Sequence, residues 1–328
     1  AGMRRSCHAR PALARGQHPA HALGRGAFAA GTAGRTPRHP AHPISQRTRP
    51  PHMIPVMDLE FSEEDIHRYS RHILLKEVGG TGQAKLKAAR VLLVGAGGLG
   101  SPLALYLAAA GIGTIGIVDD DTVEISNLQR QVAHTTARIG TGKAVSAAEA
   151  ALAINPGIKL EPHAMRLSAE NALELIGRYD LVCDGTDNFA TRFLVADACV
   201  LAKRTLVSAA VLRFEGQLSV FKPHEGGPCY RCLYPEPPPP GVVPSCSEAG
   251  VLGAVTGVMG TLQATEVLKE ILGIGDTLSG RLLVWDALAT RFRTVKLRPD
   301  PHCALCGPAG TIHDLSAHGT PAGPTCAR

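Results

Sequence analysis

This sequence predicts an α/β fold with a mixed, mainly parallel sheet flanked by helices, and three observations predict it. Short apolar runs of strand length alternate with Ala/Leu-rich helical stretches from about residue 90 to 210. A glycine cluster, Gly95-Ala96-Gly97-Gly98-Leu99-Gly100, follows the first of those runs at once. After Ala210 the rhythm changes to longer strands of antiparallel type.

Taken in order, Phe61 and Ser62-Glu63-Glu64-Asp65 have the form of a hydrophobic staple with a capping box, which predicts a helix through about Leu75. Arg90-Val91-Leu92-Leu93-Val94 reads as a buried strand, followed by the glycine turn, a helix to about Ala110 and a strand from Thr114 to Val118. Strand, turn, helix and strand make one βαβ unit with a right-handed crossover, so the sheet is Rossmann-like. The alternation continues with helices at Lys143 to Ile154, Ser168 to Ile176 and Asn188 to Ala202, and strands at Ile158 to Pro162, Tyr179 to Asp184 and Thr205 to Ala209. Phe214 to Phe221 and Arg281 to Lys296 read as an antiparallel C-terminal extension. Between them lie a Pro-rich loop, Tyr234 to Pro244, and a long helix from Ala249 to about Leu272.

Composition excludes two function classes. The net charge of +6 suggests a nucleic-acid partner, but residues 1–52 hold nine Arg and no acid, and removing that +9 leaves about −3 for residues 53–328. A basic footprint for a phosphate backbone is absent from the part expected to fold. No apolar run reaches the roughly 18 to 20 residues of a membrane span. Residues 1–52, rich in Gly, Pro, His and Ala, read as a disordered or artefactual leader ahead of a start at Met53 or Met57; an organelle transit peptide is the other reading. The expected folded domain is 53–307, with 308–328 a flexible tail and a cytoplasmic location.

The glycine turn Gly95, Gly97, Gly98 and Gly100 lets backbone N–H groups approach phosphate, and the helix behind it adds its dipole. Asp119 ends the second strand, where an acid can bind a ribose hydroxyl, and Asp121 follows it. The motif alone leaves a dinucleotide and ATP both open. Arg130, Lys143 and Asp187-Asn188 follow at the carboxyl edge of the sheet. Two cations and an acid suit a triphosphate with Mg²⁺. Cys229-x-x-Cys232 and Cys303-x-x-Cys306 supply the four soft ligands of a closed tetrahedral Zn²⁺ site, rather than a disulfide framework.

Longer motifs then carry a resemblance. Arg68-Tyr-Ser-Arg71-His, the run from Gly95 through Ser101-Pro102, Asp119 through Ser126-Asn127-Leu128-Gln129-Arg130-Gln131, Gly142-Lys143 and Cys183 through Asp187-Asn188 resemble the MoeB/ThiF/HesA family, bacterial relatives of ubiquitin-activating enzymes. So do Glu215-Gly-Gln217, Cys229-Tyr-Arg-Cys232 and Cys246 through Gly253, and the likeness runs from about residue 62 to about 307. It implies ATP contacts from Gly98, Asp119, Ser126, Asn127, Leu128, Gln129, Arg130, Lys143, Asp187 and Asn188, with Asp187 linked to Mg²⁺. It implies Arg71 as a phosphate-contacting arginine supplied across a homodimer. It implies adenylylation of the C-terminal Gly-Gly carboxylate of a ubiquitin-like sulfur-carrier protein of the molybdopterin-synthase type, with pyrophosphate released. The thiamine-pathway counterpart shares every motif quoted. Cys246 aligns with a cysteine that some members join to the carrier and that others leave idle. About 20 residues follow Gly307, so a separate sulfurtransferase or desulfurase is expected to supply sulfur. An NAD-dependent oxidoreductase and a silent scaffold for a ubiquitin-like partner remain as readings from other classes. The first leaves Arg130, Lys143 and the four thiols unexplained, and the second predicts loss of a charged set that is intact.

Overall fold

The computed structural model describes residues 61–239, 242 and 249–318. Its centre is β1 (Arg90–Val94), whose side chains alternate between two buried faces. Val91 and Leu93 enter one apolar cluster and Leu92 and Val94 the other. A strand apolar on both faces must be covered on both, and helices cover it.

Five strands pair in parallel: β1, β2 (Thr114–Val118), β3 (Lys159–His163), β4 (Leu181–Asp184) and β5 (Thr205–Leu212). Three antiparallel strands continue the sheet, β6 (Glu215–Phe221), β7 (Arg281–Asp286) and β8 (Arg291–Lys296), giving the order β3-β2-β1-β4-β5-β6-β7-β8. The expected span from Arg281 to Lys296 is therefore a hairpin that turns between Asp286 and Arg291. On one face lie α3 (Gly79–Ala88), α4 (Gly100–Ala110), α5 (Lys143–Ile154) and α9 (Gly253–Leu272); on the other lie α6 (Ala172–Gly177), α7 (Phe189–Leu201) and α8 (Tyr230–Leu233). Among the described residues no helix is long and apolar enough to cross a membrane.

The N-terminal helix departs from expectation. The Ser62–Asp65 capping box forms, but the helix breaks at Tyr69 into α1 (Glu63–Arg68) and α2 (Ser70–Ile73). Tyr69 is 3% exposed; its hydroxyl accepts a hydrogen bond from Asn155 at 2.8 Å, and its ring lies against Gly111. Tertiary contact overrides a run that locally favours helix. The helix expected from Ala249 starts at Gly253, because Gly250 takes a φ of +75° and Val251 bridges to Arg213. Residues 308–318 pack against the fold: Leu315 is 4% exposed, and His318 Nε2 lies 2.8 Å from the fully buried Asp197.

Candidate nucleotide cleft and metal site

In the parallel part of the sheet the strand order reverses between β1 and β4, and the crevice outside the carboxyl ends of these strands is where such folds bind ligands. A cleft of about 370 Å³ opens there. Its floor is the turn after β1. Gly95 takes a φ of +94°, and a side chain on it would meet Gly185 O at 3.1 Å; one on Gly100 would lie 1.9 Å from Gly95 O. Only glycine permits this coil to close on itself and on the loop after β4.

Asp119 braces the turn from β2. One carboxylate oxygen accepts Ala96 N–H at 2.8 Å and the other accepts Asp121 N–H at 2.9 Å. Burial pushes its pKa up, against the pull of those two hydrogen bonds and of Lys143. His134 holds the other backbone group of the same residue, with Nε2 3.0 Å from Ala96 O and Nδ1 2.9 Å from Ser146 Oγ. Since the carbonyl only accepts, Nε2 is the protonated nitrogen. Burial lowers the pKa of this ring, and the positive charges of Lys143 and Arg138 lower it further.

Lys143 opens α5 and is 7% exposed, yet its ammonium reaches the cleft, where it meets Asp121 Oδ2 at 2.8 Å. Arg130 also lines the cleft, with one guanidinium N–H on Ser126 O at 3.0 Å. Asp187 and Asn188 come from the loop after β4; Asn188 caps α7 through Thr191 N–H at 2.9 Å, while Asp187 is exposed. That loop is pinned from beneath. Asp184, fully buried, accepts from Thr186 N–H at 2.9 Å, Thr186 Oγ1 at 2.7 Å and Ser208 Oγ at 2.8 Å, and pairs with Arg192 at 3.2 Å. A second cavity of about 210 Å³, walled by Phe189, Gln217, Tyr230 and Tyr234, shares Asp187 with the cleft.

The structure thus gathers Gly95, Gly97, Gly98, Asp119, Asp121, Arg130, Lys143, Asp187 and Asn188 in one place. It does not bring Gly100, which opens α4, to the cleft wall, nor Ser126, Asn127, Leu128 or Gln129. The last four form a 3-10 turn and its flank, where Asn127 Oδ1 accepts Glu124 N–H at 3.1 Å. Arg71 stands elsewhere, exposed on α2, and the adjoining α1 meets the far end of α5, where Arg68 donates to Ile154 O at 3.1 Å. Nearly the whole of the 12-residue α5, roughly 16 Å, separates that end from Lys143. Cys246 lies outside the described residues. Sequence reading did not select Gln131, Met165, Arg166, Thr186, Val251 or Thr256 as cleft residues. Met165 and Arg166 follow β3 and so satisfy the carboxyl-edge rule, which was the available signal.

The four Cys-x-x-Cys thiols meet although 74 residues separate the pairs: Cys229 Sγ lies 3.7 Å from Cys232 Sγ and 3.5 Å from Cys303 Sγ, and Cys232 Sγ lies 3.4 Å from Cys306 Sγ. A tetrahedron with Zn–S of about 2.3 Å has edges of about 3.8 Å, so the four sulfurs could hold zinc. Asp300 N–H also points at Cys232 Sγ, 3.4 Å away. Among the described residues, the half-buried Asp119 and the exposed Asp120 and Asp121 form a second group of carboxylates close enough to share a cation.

With this geometry in place, comparison with known proteins gives a consistent result. The ThiF family profile matches residues 69–305. An adenylyltransferase and sulfurtransferase MOCS3 of Bos taurus is 56% identical over 255 residues, covering 77% of this chain and 56% of that protein. A sulfur carrier protein adenylyltransferase of Thermus thermophilus is 49% identical over 261 residues, covering 78% of this chain and 96% of that protein. The chain therefore spans little more than half the length of the cattle relative. Among solved structures, E. coli MccB with MccA-N7isoASN superposes with a TM-score of 0.65 at 23% identity, over 73% of this chain and 74% of that one. At that identity the likeness speaks for the fold.

Proposed function

The chain belongs to the ThiF family, and from that membership together with the cleft we propose that it uses ATP to activate the C-terminal glycine carboxylate of a ubiquitin-like sulfur-carrier protein. The single observation that carries this reading is the convergence of the glycine turn, Arg130, Lys143 and Asp187 on one cleft. The two named relatives support it, one called an adenylyltransferase and sulfurtransferase and the other a sulfur carrier protein adenylyltransferase.

A carboxylate is a poor electrophile until it carries a leaving group. In the proposed step a carrier carboxylate oxygen attacks the α-phosphorus of ATP, the bond from that phosphorus to the bridging oxygen breaks, and pyrophosphate departs. The product is an acyl-adenylate that awaits a sulfur nucleophile. Arg130 and Lys143 stabilise charge on the phosphates as it builds, and Asp121 holds the Lys143 ammonium at the wall. Asp187 would hold Mg²⁺, which supplies charge neutralisation on the departing pyrophosphate. The second cavity, joined to the cleft at Asp187, suits a narrow peptide tail arriving from the β6 side. The distance between Arg71 and the cleft of its own chain supports a homodimer in which a second copy provides that arginine. The four thiols would hold zinc as a structural ion. Of the two carrier types, we take the molybdopterin-synthase type first and the thiamine-pathway type second.

The test is carrier-dependent ATP–pyrophosphate exchange by Asp187→Ala. Asp187 is exposed and is absent from the hydrogen bonds that pin its loop, so the variant should fold and retain zinc while exchange disappears. Undiminished exchange would remove Asp187 from the mechanism.

A further inference from the structure

We propose that Gln131 is a further nucleotide-binding residue, whose side-chain amide donates a hydrogen bond to a phosphate oxygen at the glycine turn; this rests on the nucleotide reading above. Gln131 is only 3% exposed and lines the cleft. Its Oε1 is buried without a partner, and the side chain as a whole forms no hydrogen bond within the described residues. A native fold rarely encloses a primary amide and leaves both of its ends unpaired, because desolvation is then uncompensated. The accessible polar atom is Nε2, and a methyl group built on Gly97 would sit 3.7 Å from it. Gly97 has no other neighbour that close, so the space between the Gly97 backbone and Gln131 Nε2 is open on the cleft side.

Two ends of one ligand could use that amide, a phosphate or the nucleoside. The phosphate is favoured, because Gln131 Nε2 stands beside the very turn whose N–H groups approach phosphate, and because Arg130 and Lys143 line the same cleft. A neutral donor there adds direction to charge that the two cations supply. The backbone explains why the side chain stays put without a partner of its own. Gln131 N–H bonds Asn127 O at 3.0 Å and Gln131 O accepts His134 N–H at 3.0 Å, so the residue is fixed between the loop and the His134 brace.

The test compares wild type with Gln131→Met by calorimetric titration of ATP and of adenosine, alongside thermal unfolding without nucleotide. Methionine keeps the volume and deletes the donor. Because no hydrogen bond within the chain is lost, the unfolding midpoint should stay level or rise. ATP affinity should fall about tenfold, the loss of one hydrogen bond to a charged group, with adenosine affinity unchanged. Gln131→Glu, which sets a carboxylate toward the phosphates, should weaken ATP further still. Unchanged ATP affinity in Gln131→Met, or an equal loss for adenosine and ATP, would overturn the assignment. A wild-type chain that itself fails to bind ATP would instead defeat the nucleotide reading.

Discussion

Lys143 illustrates how a single residue is prepared for charge chemistry. Its stem is enclosed at the start of α5 and its ammonium is fixed 2.8 Å from Asp121, so the cation reaches the cleft wall with little freedom left to lose. Lys143→Met should therefore lower pyrophosphate exchange by about a hundredfold, the scale at which one preorganised charge-stabilising donor acts. A variant within a factor of two of wild type would show that Arg130 alone suffices. At this scale the sequence was readable where a residue type announces a charge: Asp119, Arg130, Lys143 and Asp187 all reach the cleft. It was less readable for residues whose role comes from the bond they make. Asn127, for which the resemblance implies a nucleotide contact, closes a 3-10 turn beside the cleft rather than lining its wall. Gln131 ended a quoted motif without being selected, because nothing in sequence says that a glutamine will be buried unpaired.

At the scale of elements, the capping box, the two faces of β1 and the caps of α7 follow from local chemistry, so their positions were foreseeable. α3 was not. Gly79-Gly80-Thr81-Gly82 carries poor helix formers, and the helix is held because Gly82, Ala84 and Leu86 are buried and Lys85 Nζ donates to Leu272 O at 3.1 Å. Such support lies nearly two hundred residues away in sequence. The edge strand β3 offers a pH-dependent counterpart. Burial alone would raise the Glu161 pKa, but hydrogen bonds from Lys159 and Tyr179 and the charge of Arg90 bring it from 4.5 down to about 2. A folded-state pKa below the unfolded one gives stability that is complete above about pH 4.5 and drains away as pH falls toward 2. Glu161→Gln should be less stable than wild type at pH 7 and show a flatter decline between pH 4.5 and 2. Parallel curves for the two proteins would contradict this reading of the edge network.

The whole molecule joins two halves that the sequence keeps apart. The parallel half carries the cleft, and the four thiols tie the turn of α8 to the segment beyond β8. Arg231, inside the first Cys-x-x-Cys, donates two 2.8 Å bonds to Asp197 on α7, while Tyr230 and Tyr234 on either side wall the second cavity. Spacing alone singled out the four thiols that the fold brings together. The junction with α7 was hidden, because it depends on where the sheet sets the two chain segments. Removing zinc with a chelator should lower the unfolding midpoint by roughly 5 °C or more, with activity lost only as the fold loosens. Activity that vanishes at a constant midpoint would contradict a structural ion.

The most direct measurement is mass spectrometry of candidate ubiquitin-like carriers after incubation with the purified chain, ATP and Mg²⁺. One carrier should gain a single AMP at its C-terminal glycine, with pyrophosphate released in equal amount, and Asp187→Ala should give none. No adenylylated carrier, from a chain that is folded and binds ATP, would contradict the proposed activity.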